Sequence, residues 1–517
     1  MPFSRLYPEI LLVNANVVTM SSYRPRANLV AVSGNRIVWV GERETLGRSD
    51  WNGTTIIDCQ GNTLIPGFID AHCHLMSYAS SFLGVDCSPN KVRSIIDIQH
   101  RLGEEAQHIP NGKWIRGHGY DEFWLSEKRH PSRQELDAAA PNNPVKLSHR
   151  SGHGCVLNSF ALSLAEISSN TVEPLEGYIE RDQHTGEPTG LLLEMERFLD
   201  GIVPLHSESD FKRGISYASE RLVSLGITSL QDATHSNSVE RWNVLNRLKH
   251  EGHLTPRVTM MMGYRYLDDF LNEGLSIDSG TDHINLGPVK IMLTRTTGDF
   301  HPSMDDIRRI VFKARNAGFQ IAIHTVEAEA VEAAIDVLVS NRRQFHQSNR
   351  DRLEHCSECS TAVLNRLQSS GLMVVTQPGF LYYNGKRYLS SVSEDRHSWL
   401  YRLRSLIDIG ITTAASSDAP VIEPNPLMGI YAAVTRRSES GELVGSSEAI
   451  STFEAINMYT MGGAYVARQE ADKGSIEEGK LADLVLLDND PISIHPDQLP
   501  GIKVIMTMIG GQVAWSA

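Results

Sequence analysis

The sequence has few of the features that mark secreted, membrane-bound or nucleic-acid-binding chains. Its six cysteines are scattered over 517 residues, which favours free thiols in a reduced, cytoplasmic setting over a disulfide framework. No apolar run is long enough to cross a bilayer, and Asn14 and Asn16 interrupt the apolar stretch near the N-terminus that would have to form a signal-peptide core. Basic residues (48) are fewer than acidic ones (62), and the net charge of −14 argues against nucleic acid or an anionic membrane as a partner.

The two ends of the chain share a β-rich pattern. The composition is that of a globular protein, and the chain is too long for one ordinary core. Segments 10–19 and 29–40 near one end and 482–488 and 503–515 near the other alternate strand-like runs with glycine-containing turns. Because chain ends often lie close together, these strands are expected to pair into one small β-domain. Two unrelated edge hairpins are the alternative.

Between the two ends, apolar strand-like segments alternate with helical patterns such as 304–317 and 326–339. A glycine that would end the preceding helix stands before four of these segments, at Gly226, Gly318, Gly371 and Gly410. Eight strands in this pattern predict a closed parallel (β/α)8 barrel of the TIM type, with a doubly wound open sheet as the alternative. The candidate strands are 65–71, 227–232, 257–262, 288–293, 319–324, 352–355, 372–377 and 411–416.

The first two candidate strands are separated by far more residues than one crossover helix needs. We therefore expect an inserted subdomain over roughly residues 76–215. An insertion after the C-terminal end of a barrel strand would lie over the barrel mouth, where the active sites of TIM barrels are found. Its expected use is to exclude water and to shape substrate choice.

Residues of metal-ligand type follow the apolar strands at their C-terminal ends. His72 and His74 are two residues apart, so both side chains can reach one metal ion from the same face of a strand. Taken alone, this pair is equally well explained as two hydrogen-bonded histidines. His324, His355 and Asp418 also stand at the ends of candidate strands. Because a barrel brings these strand ends to one point, the array predicts a metal site at its mouth.

Two further charged residues lie in or next to the apolar strands. Lys290 is inside the segment PVKIML, and a buried, unpaired lysine is costly and tends to lose its proton. A lysine paired with a buried carboxylate, or one that points out between helices, is the alternative. Asp232 ends the second candidate strand and could orient a ligand histidine or cap the following helix.

Several segments resemble the amidohydrolase superfamily almost from end to end. PGFIDAHCHL, IAIHTVE, RLEHC and SSDAP resemble its signatures at barrel strands one, five, six and eight, and GSIEEGKLADLVLLDNDP resembles its return into the terminal β-domain. GHGYDEFW, SGHGCVLNS, GEPTGLLLE and AVTR resemble the branch that includes N-substituted formamide deformylase-like metal-dependent hydrolases. The resemblance implies a small β-sandwich from residues 1–64 plus 474–517, a barrel from 65–75 plus 216–473, and an insertion at 76–215.

The resemblance also implies a binuclear metal centre, with zinc as the first choice of ion. His72 and His74 would bind the more buried ion, His324 and His355 the outer one, and a carboxylated Lys290 would bridge the two. Asp418 would contact the buried ion and carry a proton between a metal-bridging hydroxide and the leaving group. An unmodified Lys290 would leave a site for one metal.

The expected reaction is hydrolysis of a non-peptide C–N bond in an amide, an N-formyl compound or a cyclic amide. A deaminase or carboxylic-ester hydrolase on the same scaffold is the second interpretation, and a non-catalytic regulatory relative is the third. The loop after Lys290, KIMLTRTTGDFHPS, lacks the Asp-Gly-Ser stretch of many relatives, so substrate choice is expected to differ from theirs.

Four residues are candidates to bind the small-molecule substrate. Tyr120, Trp124 and His153 lie in the most family-like segments of the insertion, and Arg295 could meet an anionic group of the substrate. The alternatives are that the first three pack the insertion's own core and that Arg295 is a surface or ion-paired arginine. The resemblance makes a homodimer unsurprising.

Overall fold

The computed structural model describes residues 8–42, 53–340 and 350–517. Contacts between Cα atoms divide the chain into two compact units. The first comprises residues up to 74, 219–292 and from 305 to the C-terminus, and the second comprises 75–218 and 293–304. Residues 1–7 and 43–52 of the expected small β-domain lie outside the described residues. Within the described ranges, no helix is both long and apolar enough to cross a membrane.

The strands of the described residues follow one another along the chain as β1 Ile10–Val13, β2 Asn16–Val18, β3 Arg26–Ala27, β4 Leu29–Ser33, β5 Arg36–Gly41, β6 Thr55–Asp58, β7 Thr63–Pro66, β8 Phe68–Cys73, β9 Val85–Asp86, β10 Ile115–Tyr120, β11 Val145–His149, β12 Gly154–Leu157, β13 Tyr178–Arg181, β14 Pro188–Leu193, β15 Ile227–Asp232, β16 Arg257–Gly263, β17 Ile284–Ile291, β18 Ile321–Thr325, β19 Arg352–His355, β20 Met373–Thr376, β21 Thr413–Ala415, β22 Leu484–Leu487, β23 Val504–Ile509 and β24 Gln512–Ser516.

The α-helices of the same residues are α1 Leu75–Ser81, α2 Ile95–Ala106, α3 Arg133–Ala139, α4 Ser159–Leu164, α5 Glu196–Leu199, α6 Glu208–Ser224, α7 Val239–His250, α8 Leu267–Asn272, α9 Met304–Asn316, α10 Ala328–Ser340, α11 Thr361–Ser370, α12 Gly379–Ser391, α13 Leu403–Asp408, α14 Pro426–Thr435, α15 Thr452–Asn457 and α16 Gly463–Val466.

An eight-stranded parallel sheet forms the barrel of the first unit. Its strands pair in the order β8, β15, β16, β17, β18, β19, β20 and β21, each parallel to the next. At the C-terminal ends, the amide of Asp418 donates to the carbonyl oxygen of His72 and the amide of His74 donates to that of Ala419, both at 2.8 Å. These bonds join the last strand to the first. The predicted (β/α)8 TIM-like barrel is therefore confirmed.

The barrel strands are buried along their whole length, which is why they read as apolar runs without polar alternation. Gly226, Gly318, Gly371 and Gly410 all take the left-handed conformation expected of helix stops. The predicted strand 65–71 proves to be two: β7 ends at Pro66 and β8 begins at Phe68 in a different sheet. A Cβ atom at the intervening Gly67 would lie 2.1 Å from Thr228 Oγ1, so only glycine fits where the chain changes sheet.

Two smaller sheets of the first unit draw strands from both ends of the chain. One has the order β5-β4-β1-β6, and the other has the order β24-β23-β22-β7-β2-β3. Leu12 and Val30 of the first sheet share one buried cluster with Leu64, Leu484 and Met508 of the second. The two sheets therefore pack face to face around a common apolar core.

The second unit has its own mixed sheet and its own core. The strand order is β13-β14-β12-β11-β10-β9. Helices α2 and α3 each begin with a capping box, in which Ser94 pairs with Asp97 and Ser132 pairs with Glu135. Their apolar faces share a buried cluster with β10 and β11. The expected location of an insertion over the barrel mouth stays a prediction.

Candidate active site

The six residues predicted as metal ligands all belong to the first unit. His72 is in β8 and His74 follows it, Lys290 is in β17, His324 is in β18 and His355 ends β19, while Asp418 lies three residues after β21. His355 and Asp418 have φ values of 69° and 57°, a left-handed conformation that costs a non-glycine residue of order 1–3 kcal/mol. Both strands therefore end in a backbone conformation that the surrounding structure has to hold.

The imidazole and carboxylate groups of these residues converge. Donor atoms of His72, His355 and Asp418 all lie within 4.8 Å of one another. His74 Nε2 is 3.0 Å and His72 Nε2 is 3.5 Å from Asp418 Oδ1. The rings of His324 and His355 have their centroids 4.5 Å apart. Nitrogen and carboxylate ligands grouped in this way suit zinc and neighbouring divalent ions, so these residues fit a metal centre.

Lys290 reaches the same cluster from inside the barrel. Its side chain is 1% exposed, and its Nζ lies 3.5 Å from His72 Nε2. Burial lowers the pKa of Lys290 to about 8, against the opposing influence of Glu354 and Asp418. The ammonium group of Lys290 therefore loses its proton at a lower pH than that of an exposed lysine. Its location excludes the alternative of a side chain that points out between helices.

The ionisation of the site favours metal ligation. Burial, reinforced by Lys290, lowers the pKa of His72 well below its ordinary value, and burial likewise lowers the pKa of His355. Both imidazoles are therefore neutral and able to donate a lone pair. Burial by itself would raise the pKa of Asp418, but His74, His72 and His355 outweigh it and hold that pKa below its usual range.

Further polar residues contact the side chains of the candidate ligands. The carboxylate of Glu354 is hydrogen-bonded to His72 Nδ1, and Gln377 Oε1 lies 2.8 Å from His355 Nδ1. Thr234 Oγ1 lies 3.2 Å from His74 Nδ1 and donates to Asp232 Oδ1 at 2.6 Å. Asp232 is thus linked to His74 through Thr234.

Asp232 does not cap the helix that follows it, because α7 begins after Ser238, whose side chain accepts from the amide of Arg241. Asp70, in the same motif as His72, accepts from the amide and the hydroxyl of Ser417 at 3.0 and 2.5 Å. It thereby fixes the residue before Asp418. Burial raises the pKa of Asp70 to about 6, against the opposing bonds from Ser417.

The sequence did not predict Glu354, Thr234 or Gln377 as parts of the site. The sequence does indicate that Glu354 needs a partner, because it is a charged residue in the strand segment RLEH, where burial of an unpaired charge would be costly. It does not indicate which residue that partner is. Thr234 and Gln377 are neutral residues after strand ends, and nothing in their local sequence distinguishes them from ordinary loop residues.

The four candidate substrate residues all lie in the second unit. Tyr120 is fully buried in its core and is hydrogen-bonded to His130 Nδ1 at 2.9 Å, as expected of the core-packing alternative. The Trp124 ring makes an edge contact with Phe123. His153 Nδ1 lies 2.8 Å from Glu194 Oε1, and Arg295 stacks over the ring of Phe300. Their roles in substrate binding stay predictions.

The barrel and this cluster define a hydrolase of the metal-dependent type. The chain matches the sequence profile of the amidohydrolase family over residues 55–514 and belongs to that family. It is 29% identical to the N-substituted formamide deformylase of Arthrobacter pascens, over 97% of each chain.

Solved structures agree with this assignment. The chain is 26% identical to an uncharacterized metal-dependent hydrolase from Pyrococcus furiosus, with a TM-score of 0.72 over 94% of this chain and 100% of that one. A second such hydrolase, from Pyrococcus horikoshii, has the same fold, with 24% identity and a TM-score of 0.76 over 94% and 99% of the two chains.

Proposed function

We propose that this chain is a metal-dependent amidohydrolase that cleaves a non-peptide C–N bond, with N-substituted formamides as the first substrate class to test. The observation that carries the proposal is the convergence of His72, His355 and Asp418 within 4.8 Å, with Lys290 beside them at the barrel mouth. The substrate class is suggested by the deformylase relative, which this chain matches over 97% of its length.

In this proposal, His72 and His74 would hold one divalent ion and His324 and His355 would hold a second. Lys290 would contribute a ligand to both ions as a carbamate, which would form when its neutral amine bonds to the carbon of carbon dioxide and releases a proton. The low pKa of Lys290 favours this reaction, because an ammonium group has no lone pair to form the bond. When bound, divalent ions such as zinc supply Lewis-acid activation of water and of the substrate carbonyl group.

Asp418 is the proton carrier in this proposal. The hydrogen bond from His74 and the nearby His72 and His355 hold its pKa below the usual range, so the carboxylate is ionised at neutral pH, which is the form that a proton acceptor needs. It would take a proton from the attacking water and pass it to the leaving nitrogen, which would otherwise depart as an unstable amide anion. The bond of its amide to the carbonyl oxygen of His72 fixes its backbone beside the ligand histidines.

The test is a panel of substrates offered to the purified protein before and after removal of metal. The panel contains N-benzylformamide, the matching N-acetyl compound, the matching formate ester and an aminopurine. We expect formate release from the formamide by the metal-loaded protein, loss of that release after chelation, and its return when zinc is added. Release of ammonia from the aminopurine alone, or no turnover of any amide, would overturn the proposal.

A further inference from the structure

A fully buried chain of charged and polar groups leads from the barrel interior to His72. His72, Glu354 and Arg352 are each 0% exposed. One carboxylate oxygen of Glu354 accepts from His72 Nδ1, and the other accepts from Arg352 Nε at 2.6 Å. Arg352 in turn donates to Gln231 Oε1 at 2.5 Å and to the carbonyl oxygen of Ala71 at 3.3 Å. Both carboxylate oxygens are therefore in use.

We propose that Glu354 is a positioning residue that fixes His72 in the one tautomer and ring orientation that presents Nε2 to the metal. This inference rests on the proposed function and adds a residue to it. Because the carboxylate accepts at Nδ1, that nitrogen carries the proton and Nε2 keeps its lone pair. Nε2 faces the cluster, 3.5 Å from both Lys290 Nζ and Asp418 Oδ1.

Three of the four candidate ligand histidines, His72, His74 and His355, have different partners at Nδ1. At hydrogen-bonding distance, Nδ1 of His355 meets the amide oxygen of Gln377 and Nδ1 of His74 meets the hydroxyl of Thr234, both neutral groups. The nearest carboxylate oxygen to His355 Nδ1, Asp418 Oδ2, is farther away, at 4.0 Å. His72 meets a carboxylate, and a carboxylate acceptor makes an imidazole a more basic metal ligand than a neutral acceptor does. Arg352 balances the charge that Glu354 brings into the barrel, which is the condition for burying it.

Glu354→Gln forces a choice between the hydrogen bond to His72 and the hydrogen bond to Arg352. Glutamine has a single acceptor oxygen, so it can satisfy His72 or Arg352 but not both. We expect the zinc affinity, measured by competition with a chromophoric chelator, to fall by about 10–100-fold. In the double variant Arg352→Met with Glu354→Gln, the amide oxygen is free to accept from His72, and a substantial part of the affinity should return.

Asp351→Asn is the matched control. Asp351 is also a buried carboxylate next to Arg352 in the chain, and it accepts from the buried guanidinium of Arg315 and from the amide of Ile321. We expect this variant to lose stability while its zinc affinity stays within about twofold of wild type. Affinity of Glu354→Gln equal to wild type would overturn the role of Glu354 and leave the proposed function standing. Failure of the wild type to bind zinc would overturn both.

A measurement on the metal-free wild type covers the case in which the Glu354 variants do not fold. Long-range ¹H–¹⁵N spectra of ¹⁵N-histidine protein distinguish the two imidazole tautomers, and His72→Gln identifies the His72 signals by their loss. We expect the Nδ1–H tautomer at His72. The Nε2–H tautomer would overturn the inference, because the lone pair would then be on Nδ1, which faces Glu354, and Nε2 would have none to offer the cluster.

Discussion

The amide of Asp418 donates to the carbonyl oxygen of His72 at 2.8 Å, so the last barrel strand is bonded to the first beside two of the proposed ligands. The same pair meets again through its side chains, with His72 Nε2 3.5 Å from Asp418 Oδ1. The same two residues therefore contribute to closure of the barrel and to the candidate site. A change that opens this seam should disturb both, whereas a change confined to the Asp418 carboxylate should disturb only the chemistry.

Asp418→Asn changes only the side-chain carboxylate and leaves the backbone hydrogen bond to His72 available. The amide keeps the shape of the side chain and one oxygen for a metal, but it cannot accept and return a proton. We expect kcat to fall by about 10²–10⁴-fold while metal content is largely kept. Steady-state kinetics and elemental analysis of the same preparation check both points. Asp305→Asn, at a surface position, should behave as wild type. Full activity of Asp418→Asn would rule out its role as proton carrier.

Asp483→Asn should destabilise the first unit without touching the site. Asp483 accepts two hydrogen bonds from Arg257, at 2.7 and 3.0 Å, and both side chains are buried. The variant would remove the buried counter-charge of this guanidinium and leave only the partly exposed Asp282, 3.4 Å from Arg257 Nη1, so we expect a loss of up to about 3–5 kcal/mol of unfolding free energy. Urea denaturation measures the loss. The matched change Asp472→Asn breaks an exposed pair with Arg36 and should cost less than about 1 kcal/mol. Equal losses in the two variants would contradict the expectation.

Lys473 should make stability depend on pH above neutrality. Burial lowers its pKa from 10.5 to about 7, and its Nζ donates to Ser229 Oγ at 2.9 Å. Between about pH 7 and 10 the unfolded chain therefore holds a proton that the folded chain has lost. Lys473 therefore makes the unfolding free energy rise with pH between about pH 7 and 10, by at most about 1.4 kcal/mol per pH unit. Below about pH 7 the lysine is protonated in both states, and the full cost of burying its charge remains.

Lys473→Met tests this sign, because methionine keeps most of the apolar side chain and removes the titrating group. We expect the rise in unfolding free energy between about pH 7 and 9.5 to be smaller in the variant than in wild type. Urea denaturation at several pH values gives the two slopes. Lys146→Met, a change in the second unit, serves as the control. Identical slopes in wild type and Lys473→Met would refute a lowered pKa in the folded chain.

The convergence of the candidate ligand residues could be predicted from the sequence because each one lies at or near the C-terminal end of an apolar strand. A parallel barrel brings all its strand C-termini to one mouth, so His324, His355 and Asp418 needed no knowledge of their partners to be placed together. His72 and His74 needed only the two-residue repeat of a strand. The helix stops at Gly226 and Gly410 were readable for the same local reason, since a left-handed residue favours glycine.

The residues that hydrogen-bond to the candidate ligands could not be predicted, because the two members of each pair are far apart in the chain or have no distinctive local sequence. Glu354 and His72 are separated by 282 residues, and no periodicity links them. The relay from Asp232 to His74 runs through Thr234, whose local sequence resembles any polar turn. The change of sheet at Gly67 was also missed, since the apolar run continues through it while the hydrogen-bonding partner changes.

The metal content of the purified protein tests the proposed centre most directly. Elemental analysis of wild type should find about two divalent ions per chain, and that of Lys290→Ala about one or fewer, because the variant lacks the bridging group. Two ions retained in Lys290→Ala would contradict the bridge. A wild-type protein that binds none, even after incubation with zinc, would contradict the metal centre itself.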